Sequence, residues 1–467
     1  MPEKYHINTK PIPPRLPRIG KYGIVDWRED CARCHNCVKK ACVYDRHRQE
    51  LEYIRNLSDV DALFFDCMGC LYCVQNCTKG LLRLVINPVY EGLGNQYWTP
   101  EIIQTTWMQA ETAKIPVSGA GYRGCFAGHG FDSMWTDMSE IVRPTRDGIH
   151  GREYISTSVD IGRKLGFLSF QEKKQTDVTP PLVNIPMPLI IDMASEQYSL
   201  PVLGPILVET AKRTSLIAII DSSQWPFADY LQEELLPHIA FNLNPNSQQP
   251  PKEVIAQTKL IQIPDCPEII EKIKELKKDF PEIVISVKVI LDSNGCKRAI
   301  ELASLPEVEV IHIAADLNGD EIGTKEPKFI KDMVREIHTT LVDNGNRDEI
   351  TLIAGGGIAL AEHLAKVMIC GADLAAINLP LLIALECQLC NKCKPGMVCP
   401  AKLEKIDFEY GAGRMTNLIS AWHDQLIEVM GAMGMREARR LRGDVGRGMF
   451  FEELEEETFG KLFGTKK

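Results

Sequence analysis

The chain has 467 residues, 45% of them hydrophobic, a formal net charge of −10 and a pI near 5.6. That length accommodates two or three domains with a sizeable core, and the acidic balance excludes a protein that coats nucleic acid, which must meet phosphates with basic side chains. No run approaches the ~20 consecutive apolar residues of a membrane span, and the start MPEKYHINTKPIPPRLPRIG lacks the apolar core of a secretory signal, so a cytoplasmic protein is expected.

In chain order, cysteines come first. Sixteen are many for a reducing compartment, where dispersed disulfides do not persist, and twelve of them fall into three tight groups that suit metal ligation. CARCHNCVKKAC supplies Cys31, Cys34, Cys37 and Cys42; CMGCLYCVQNC supplies Cys67, Cys70, Cys73 and Cys77. Each reads C-x2-C-x2-C with a fourth cysteine beyond. Three close thiolates can hold three iron corners of one cubane, and the fourth ligand usually comes from the other repeat. The pattern predicts a ferredoxin-like module with one 4Fe–4S cluster on Cys31, Cys34, Cys37 and Cys77, and another on Cys67, Cys70, Cys73 and Cys42. Two features depart from the usual motif: Val43 and Thr78 stand where a proline commonly follows, and the first repeat has four residues before its last cysteine. The competing reading is a pair of zinc sites, but zinc ribbons use pairs of C-x2-C rather than triplets. Cys125, Cys266, Cys296 and Cys370 are scattered and read as small core residues.

Between residues 186 and 380 come eight short apolar runs: PLIIDM, LIAIID, HIAFNL, KLIQI, IVISVKVI, VEVIHIA, ITLIAGG and LAAIN. They alternate with amphipathic segments such as PEIIEKIKELKKDF, whose apolar positions recur at helical spacing. Near-continuous apolar strands with intervening helices predict a parallel (β/α)8 barrel, with an open doubly wound sheet as the competing architecture. In a barrel, chemistry belongs at the carboxyl ends of the strands. The seventh run ends in AGGGIALAEHL, where Gly355, Gly356 and Gly357 lead into a helix start, a place suited to a phosphate. A plain strand-to-helix turn needing positive φ would use the same glycines.

Several stretches carry a resemblance. ISVKVI (285–290), AGGGI, GADLAAI followed by a cysteine group, and the tail LIEVMGAMGMREARRLRG are similar to the synthase domain of glutamate synthases. MSEIVRPTRDGIHGREYIST (138–157) looks like the segment before the barrel in the short, archaeal-type members, which also carry a ferredoxin module. The resemblance spans roughly residues 100 to 445. It implies an FMN-containing barrel, an iron–sulfur cluster beside it, and amination of 2-oxoglutarate to glutamate. Lys288 takes the place of the lysine beside flavin and substrate, and is the candidate catalytic and cofactor-binding residue. Gly355, Gly356 and Gly357 take the phosphate place. Arg143, Arg146, His150 and Arg152 could pair with carboxylates or a cofactor, or form a structural ion-pair network.

The chain departs from the family at the glycine-rich segment after the sixth strand, which here reads AADLNGDEIG (314–323) and brings Asp316, Asp320 and Glu321. Like charge disfavours an anionic substrate, so weak glutamate synthesis from ammonia is expected. The chain starts Met1-Pro2 rather than with the cysteine nucleophile of a glutaminase half, so nitrogen is expected from free ammonia or a partner.

The third cysteine group, CQLCNKCKPGMVCP (387–400), follows the eighth run. Cys387, Cys393 and Cys399 are each separated by five intervening residues, as in the family's 3Fe–4S site, and Cys390 adds a fourth thiolate that would complete a 4Fe–4S cluster. The expected organisation is a ferredoxin-like module (1–95), a connecting segment (96–185), the barrel (186–384) and a cysteine-rich, helical extension (385–467). The expected function is an iron–sulfur and FMN oxidoreductase of glutamate synthase type; the alternative is a non-catalytic electron-transfer or scaffold subunit with a degenerate barrel. GAGYRG (119–124) does not sit between a strand and a helix, so there is no nicotinamide fingerprint. Electrons are therefore expected from a partner within a hetero-oligomeric complex, either a ferredoxin or an NAD(P)H-oxidising flavoprotein subunit.

Overall fold

The computed structural model of the protein describes residues 5–26, 32, 34, 36, 42–44, 67–115, 128–136, 154–166, 170–171, 174–175, 180–192, 202–222, 233–244, 249–390, 398–460, 462 and 464. Cys31, Cys37, Cys125, Cys393, Arg143, Arg146, His150 and Arg152 lie outside the described residues.

Eight parallel strands close on themselves: β1 (Leu189–Asp192), β2 (Ala218–Asp221), β3 (Ile239–Asn242), β4 (Leu260–Pro264), β5 (Val284–Ile290), β6 (Val310–Ala314), β7 (Thr351–Gly355) and β8 (Leu374–Ile377). β8 pairs with β1, Ala376 lying opposite Ile190, so the sheet has no edge and the open doubly wound alternative is excluded. Every residue of β1, β3, β7 and β8 is buried, as expected for strands covered on both faces. The cover comes from α1 (Leu203–Arg213), α2 (Ile269–Asp279), α3 (Gly295–Ala303), α4 (Ile330–Asp343) and α5 (Ala361–Cys370). A long helix, α6 (Phe408–Ala432), packs on α1 and α5. Asp407 caps its start by accepting from the Tyr410 amide. Because α6 covers the outer side of α5, all ten residues of α5 are buried, Glu362, His363 and Lys366 among them.

The chain forms two compact units. The barrel unit comprises Met1–Ile12, Thr106–Leu385 and Lys402–Lys467; the second comprises Pro13–Thr105 and Glu386–Ala401. These limits differ from those read from composition, because the cysteine segment finds its partners among residues 13–105 whereas the apolar α6 packs on barrel helices. In the second unit, strands Tyr22–Asp26 and Leu82–Ile86 pair antiparallel with Ile24 opposite Leu84, and Tyr72–Gln75 forms a short helix. Among the described residues no helix is long and apolar enough to cross a membrane.

The amino-terminal face of the barrel is closed by charge. Arg347, 2% exposed, reaches Asp373 at 2.8 Å and donates to the carbonyls of Ile350 and Gly371. Asp373 also accepts from the Leu352 amide at 2.8 Å and from Arg442 at 3.2 Å. Burial alone would raise the Asp373 carboxyl, but Arg347 and Arg442 overcome it and hold it below the usual carboxylate range. Asp373→Asn leaves two arginines facing an amide, and a loss of about 3 kcal/mol is expected in denaturant unfolding near neutral pH. The group's folded value is depressed, so its contribution is present above the ordinary carboxylate pKa and is lost as pH falls through the depressed one. The gap between the wild-type and variant proteins should therefore shrink below about pH 4; a gap that holds constant into acid would show that Asp373 is not the titrating group.

Candidate functional site

Polar side chains interrupt the apolar strands at the carboxyl-terminal mouth of the barrel. β5 turns Ser286 and Lys288, two residues apart, to the same face. Lys288 Nζ meets Asp192 Oδ2 at 2.6 Å, joining β5 to β1 across the barrel. Both are largely withdrawn from solvent, with side chains 18% and 10% exposed.

A second network has a fixed direction. Asn242 donates to Asp221 Oδ2 at 3.3 Å, Gln262 donates to Asn242 Oδ1 at 3.2 Å, and Gln262 Oε1 lies 2.6 Å from His312 Nδ1. An ionised aspartate can only accept, so each amide must present its nitrogen toward Asp221 and its oxygen away. The last oxygen then requires a proton on Nδ1, which leaves Nε2 of neutral His312 as a bare acceptor. Burial, reinforced by Lys288 and only partly offset by Asp192, lowers the His312 pKa to about 4 and keeps the ring neutral. Nε2 has no hydrogen-bond partner and stands 3.8 Å from Asp192 Oδ2; Ser286 Oγ is also buried without a partner. Gly355 packs closely against the His312 ring, since a Cβ there would sit 3.0 Å from Nε2 and 3.3 Å from the Ala376 Cβ.

Gly356 and Gly357 do different work. Their φ values of 106° and 66° belong to the region that favours glycine. A Cβ on Gly356 would fall 2.5 Å from the Asp316 carbonyl oxygen, and one on Gly357 2.7 Å from that of Asn318. The turn is thus filled by the chain's own backbone. The acids of the 314–323 segment are also engaged locally. Asp316 accepts from the amides of Asn318 and Asp320, both at 2.8 Å; Asp320 meets His129 at 3.0 Å; Glu321 accepts from Thr324 at 3.3 Å. Beyond the turn, burial raises Glu362 to about 7, against the pull of Lys366. Its Oε2 accepts from Gln425 at 3.3 Å, while Oε1 has no partner.

In the second unit the described cysteines gather across the two sequence groups. Burial raises the Cys67 thiol against a 3.4 Å hydrogen bond from the Gly69 amide, and Cys73, Cys70 and Cys42 add to the rise as neighbouring negative charges. The amides of Leu81, Lys79, Leu82 and Gly80 favour the Cys77 thiolate, with Leu81 N at 3.3 Å. Cys34 lies 3.9 Å from Thr78 Oγ1, next to Cys77 in the chain. Among the described residues, no three His, Cys, Asp or Glu side chains converge closely enough to hold a single ion. In the third group Cys387 is buried and Cys390 and Cys399 are partly so. Its backbone is unusual: Glu386 and Leu389 have φ of 70° and 49°. Such left-handed positions cost roughly 1–2 kcal/mol each in residues with a side chain.

The structure therefore places Lys288 and Gly355 together at the mouth, and Gly356 and Gly357 in a packed turn. Sequence reasoning missed Asp192, Asp221, Asn242, Gln262 and His312. Each is a polar residue in or ending one of the apolar runs (PLIIDM, LIAIID, HIAFNL, KLIQI, VEVIHIA), which was the available signal.

Residues 246–436 match the family model described as the conserved region in glutamate synthase. The archaeal-type glutamate synthase [NADPH] of Dehalococcoides mccartyi is 25% identical, the match covering 92% of this chain and 96% of that protein. The archaeal glutamate synthase [NADPH] of Archaeoglobus fulgidus is 24% identical over 94% of this chain and 96% of its own. Among solved structures, flavocytochrome b2 with sulfite bound matches at a TM-score of 0.41 and 14% identity, over 77% of this chain and 88% of that one.

The direction of the amide network is measurable. In the nitrogen-15 spectrum of labelled protein, His312 should be the neutral Nδ1–H tautomer throughout about pH 6 to 8. Asp221→Asn removes the acceptor-only end and should give a mixture of tautomers, because both network directions become available. An Nε2–H tautomer in the unaltered protein would overturn the assignment.

Proposed function

Starting from the relation of this chain to the glutamate synthases, we propose that it is an iron–sulfur, FMN-dependent oxidoreductase whose reaction site is the barrel mouth. The observation that carries this reading is the Lys288–Asp192 pair spanning the mouth beside a neutral histidine with a bare Nε2. The residues present fit a flavin ring in one respect: buried polar atoms at Ser286 and His312 await partners. Bound there, FMN would pass electrons between one-electron clusters and a two-electron substrate. Lys288 would set a fixed positive charge against developing negative charge, and Asp192 would orient it. His312 Nε2 would accept a hydrogen bond rather than bind a proton, given its low basicity. Gly355, Gly356 and Gly357 with the start of α5 would take the phosphate through their backbone amides. The substrate class is an oxo acid undergoing reductive amination, with 2-oxoglutarate as the family's example.

The cysteines would hold two 4Fe–4S clusters, on Cys31, Cys34, Cys37 and Cys77 and on Cys67, Cys70, Cys73 and Cys42, with a third cluster on Cys387, Cys390, Cys393 and Cys399. That Cys42 of the first group acts on Cys67 of the second as a neighbouring charge supports the exchange of fourth ligands between repeats. Spacing also separates iron–sulfur from zinc. Thiolates on one tetrahedral zinc stand only roughly 3.8 Å apart, given a Zn–S bond of about 2.3 Å, whereas cubane ligands bind different irons and spread wider. In the sequence, C-x2-C-x2-C triplets suit the cluster better than the paired C-x2-C of zinc ribbons. A redox partner protein would supply or take up the electrons.

One observation favours the second reading, an electron-transfer subunit with a degenerate barrel: the space at Gly356 and Gly357 is occupied by the carbonyls of Asp316 and Asn318. Flavin content separates the two. Anaerobically purified protein should carry about one FMN per chain, and Lys288→Met should retain it while lowering substrate turnover by about a hundredfold or more. A flavin-free protein with full iron content would favour the scaffold.

The third cluster has its own test. Iron should approach about twelve per chain, or about eleven if the third cluster is trinuclear. Cys390→Ala should lower a cubane to a trinuclear cluster with its characteristic oxidised electron paramagnetic resonance signal. An unchanged iron count and spectrum would show that Cys390 is not a ligand, and zinc as the dominant metal would remove the whole cluster reading.

A further inference from the structure

The third cysteine segment begins and ends on one side chain. Arg15 Nε lies 3.1 Å from Glu386 Oε2, and its Nη2 donates to the Ala401 carbonyl at 2.8 Å. Glu386 immediately precedes Cys387, and Ala401 follows the Cys399-Pro400 pair. The other carboxylate oxygen of Glu386 accepts the backbone amides of Arg15 at 2.7 Å and Leu16 at 3.1 Å. Both carboxylate oxygens are therefore engaged, in a side chain only 4% exposed. Arg15 sits in Pro13-Pro14-Arg15-Leu16-Pro17, where prolines restrict the backbone and pre-set its direction. A further anchor holds the interior of the segment: the Gly94 amide donates to the Gln388 carbonyl at 3.0 Å. Gly94 has φ 70°, and any Cβ there would collide with the Trp98 carbonyl.

From this geometry we infer that Arg15 is the positioning residue of the third cluster: it staples residues 386 and 401 together, closing the loop that presents Cys387, Cys390 and Cys399. The inference rests on the iron–sulfur reading given above and adds to it which residue outside the cysteine segment builds the site. Three features require such a staple. The segment contains two positive-φ residues with side chains, Glu386 and Leu389, which local sequence does not favour. Lys402, just past the stapled carbonyl, has φ 47°, so the chain leaves the loop through a third such position. A loop strained at both ends stays closed only when outside bonds over-determine it. A guanidinium suits the task because its planar fork can serve a carboxylate and a carbonyl at once, whereas an ammonium acts as a point charge. The buried Glu386 charge also needs a cation, and Arg15 fills that need from the same side chain.

The experiment uses the full chain, purified anaerobically with its clusters. The unaltered protein should hold about twelve iron, or about eleven with a trinuclear third cluster. Arg15→Ala should lose only the third cluster, falling to about eight iron with the resonance signals of the other two retained. Arg15→Lys keeps the charge but not the fork; it should retain the cluster and lose it to a chelator about tenfold faster. Lys21→Ala, which breaks the partly exposed pair with Glu101 in the same unit, is the control and should behave as the unaltered chain. Unchanged iron and spectra in Arg15→Ala would overturn the staple while leaving the third cluster standing. Loss of all three clusters would overturn it too, by showing that Arg15 supports the whole unit rather than this loop. An unaltered protein with only about eight iron would instead sink the third cluster itself.

Discussion

A charge placed inside a barrel must find its partner inside the barrel. Lys288 and Asp192, with 2.6 Å between Nζ and Oδ2, meet that constraint, and much of the mouth follows from it. Two opposite charges withdrawn from water are tolerable only together, since removal of either leaves the other unpaired. The pair ties the end of β5 to the end of β1 and so fixes the mouth across its width. The state of His312 is set by burial, which disfavours a charged ring and outweighs the opposing pull of Asp192, so the imidazole stays neutral. A neutral imidazole must place one proton, and the amide chain from Asp221 places it on Nδ1. The directed network thus leaves Nε2 an unsatisfied acceptor within a fully buried side chain, with Ser286 Oγ a second unpartnered atom on β5.

The thiol chemistry is organised on a different principle. Iron ligands need little burial but accurate backbone paths, because each cysteine must reach its own corner of a cluster. The second unit supplies paths through local devices: an αL residue, Leu71, between Cys70 and Cys73; amides converging on Cys77; and the bonds from Arg15 and Gly94 that hold the 386–401 segment. Its described core includes Tyr90, Leu93, Trp98 and Ile103, and Cys73 and Leu82 form a buried cluster with Cys67, Val74, Cys77 and Leu84 around them. The proposed clusters would cross-link these segments further.

How much of this was legible in the sequence depends on the kind of interaction. Eight apolar runs specify a barrel because buried parallel strands need side chains that are apolar on both faces, and each run became a strand. Lys288 was legible through family resemblance. Its partner Asp192 was not, since ion pairs across a barrel join residues 96 positions apart and no local spacing records them. The same holds for Gln262 and His312, which are separated by 50 residues and by an intervening strand. Arg15 was hidden more deeply: a lone arginine between prolines has no periodic pattern, and its partner lies 371 residues away. The acidic loop was legible in composition but not in consequence. Asp316, Asp320 and Glu321 each bind a neighbour, so their charges are spent on shaping the loop as well as on the surrounding field.

The three glycines of the seventh strand end show why a motif and its function need separate arguments. All three lack a Cβ, but the reason differs along the turn. At Gly355 the missing atom lets the strand end lie against the His312 ring and the Ala376 side chain. At Gly356 and Gly357 the missing atoms let the turn and the 316–319 segment touch backbone to backbone, with Gly319 itself 2.7 Å from where the Gly357 Cβ would stand. Close packing alone therefore accounts for the three glycines. An alanine at Gly356 or Gly357 would be excluded by the neighbouring carbonyl whether or not a phosphate ever bound. What packing does not require is the conjunction at the strand ends: a bare imidazole nitrogen beside a paired lysine. Fold stability gains nothing from leaving a buried acceptor unsatisfied, which costs free energy on the order of 1–3 kcal/mol. A group that hydrogen-bonds to Nε2 would remove that cost, which is the role the proposed ligand would have.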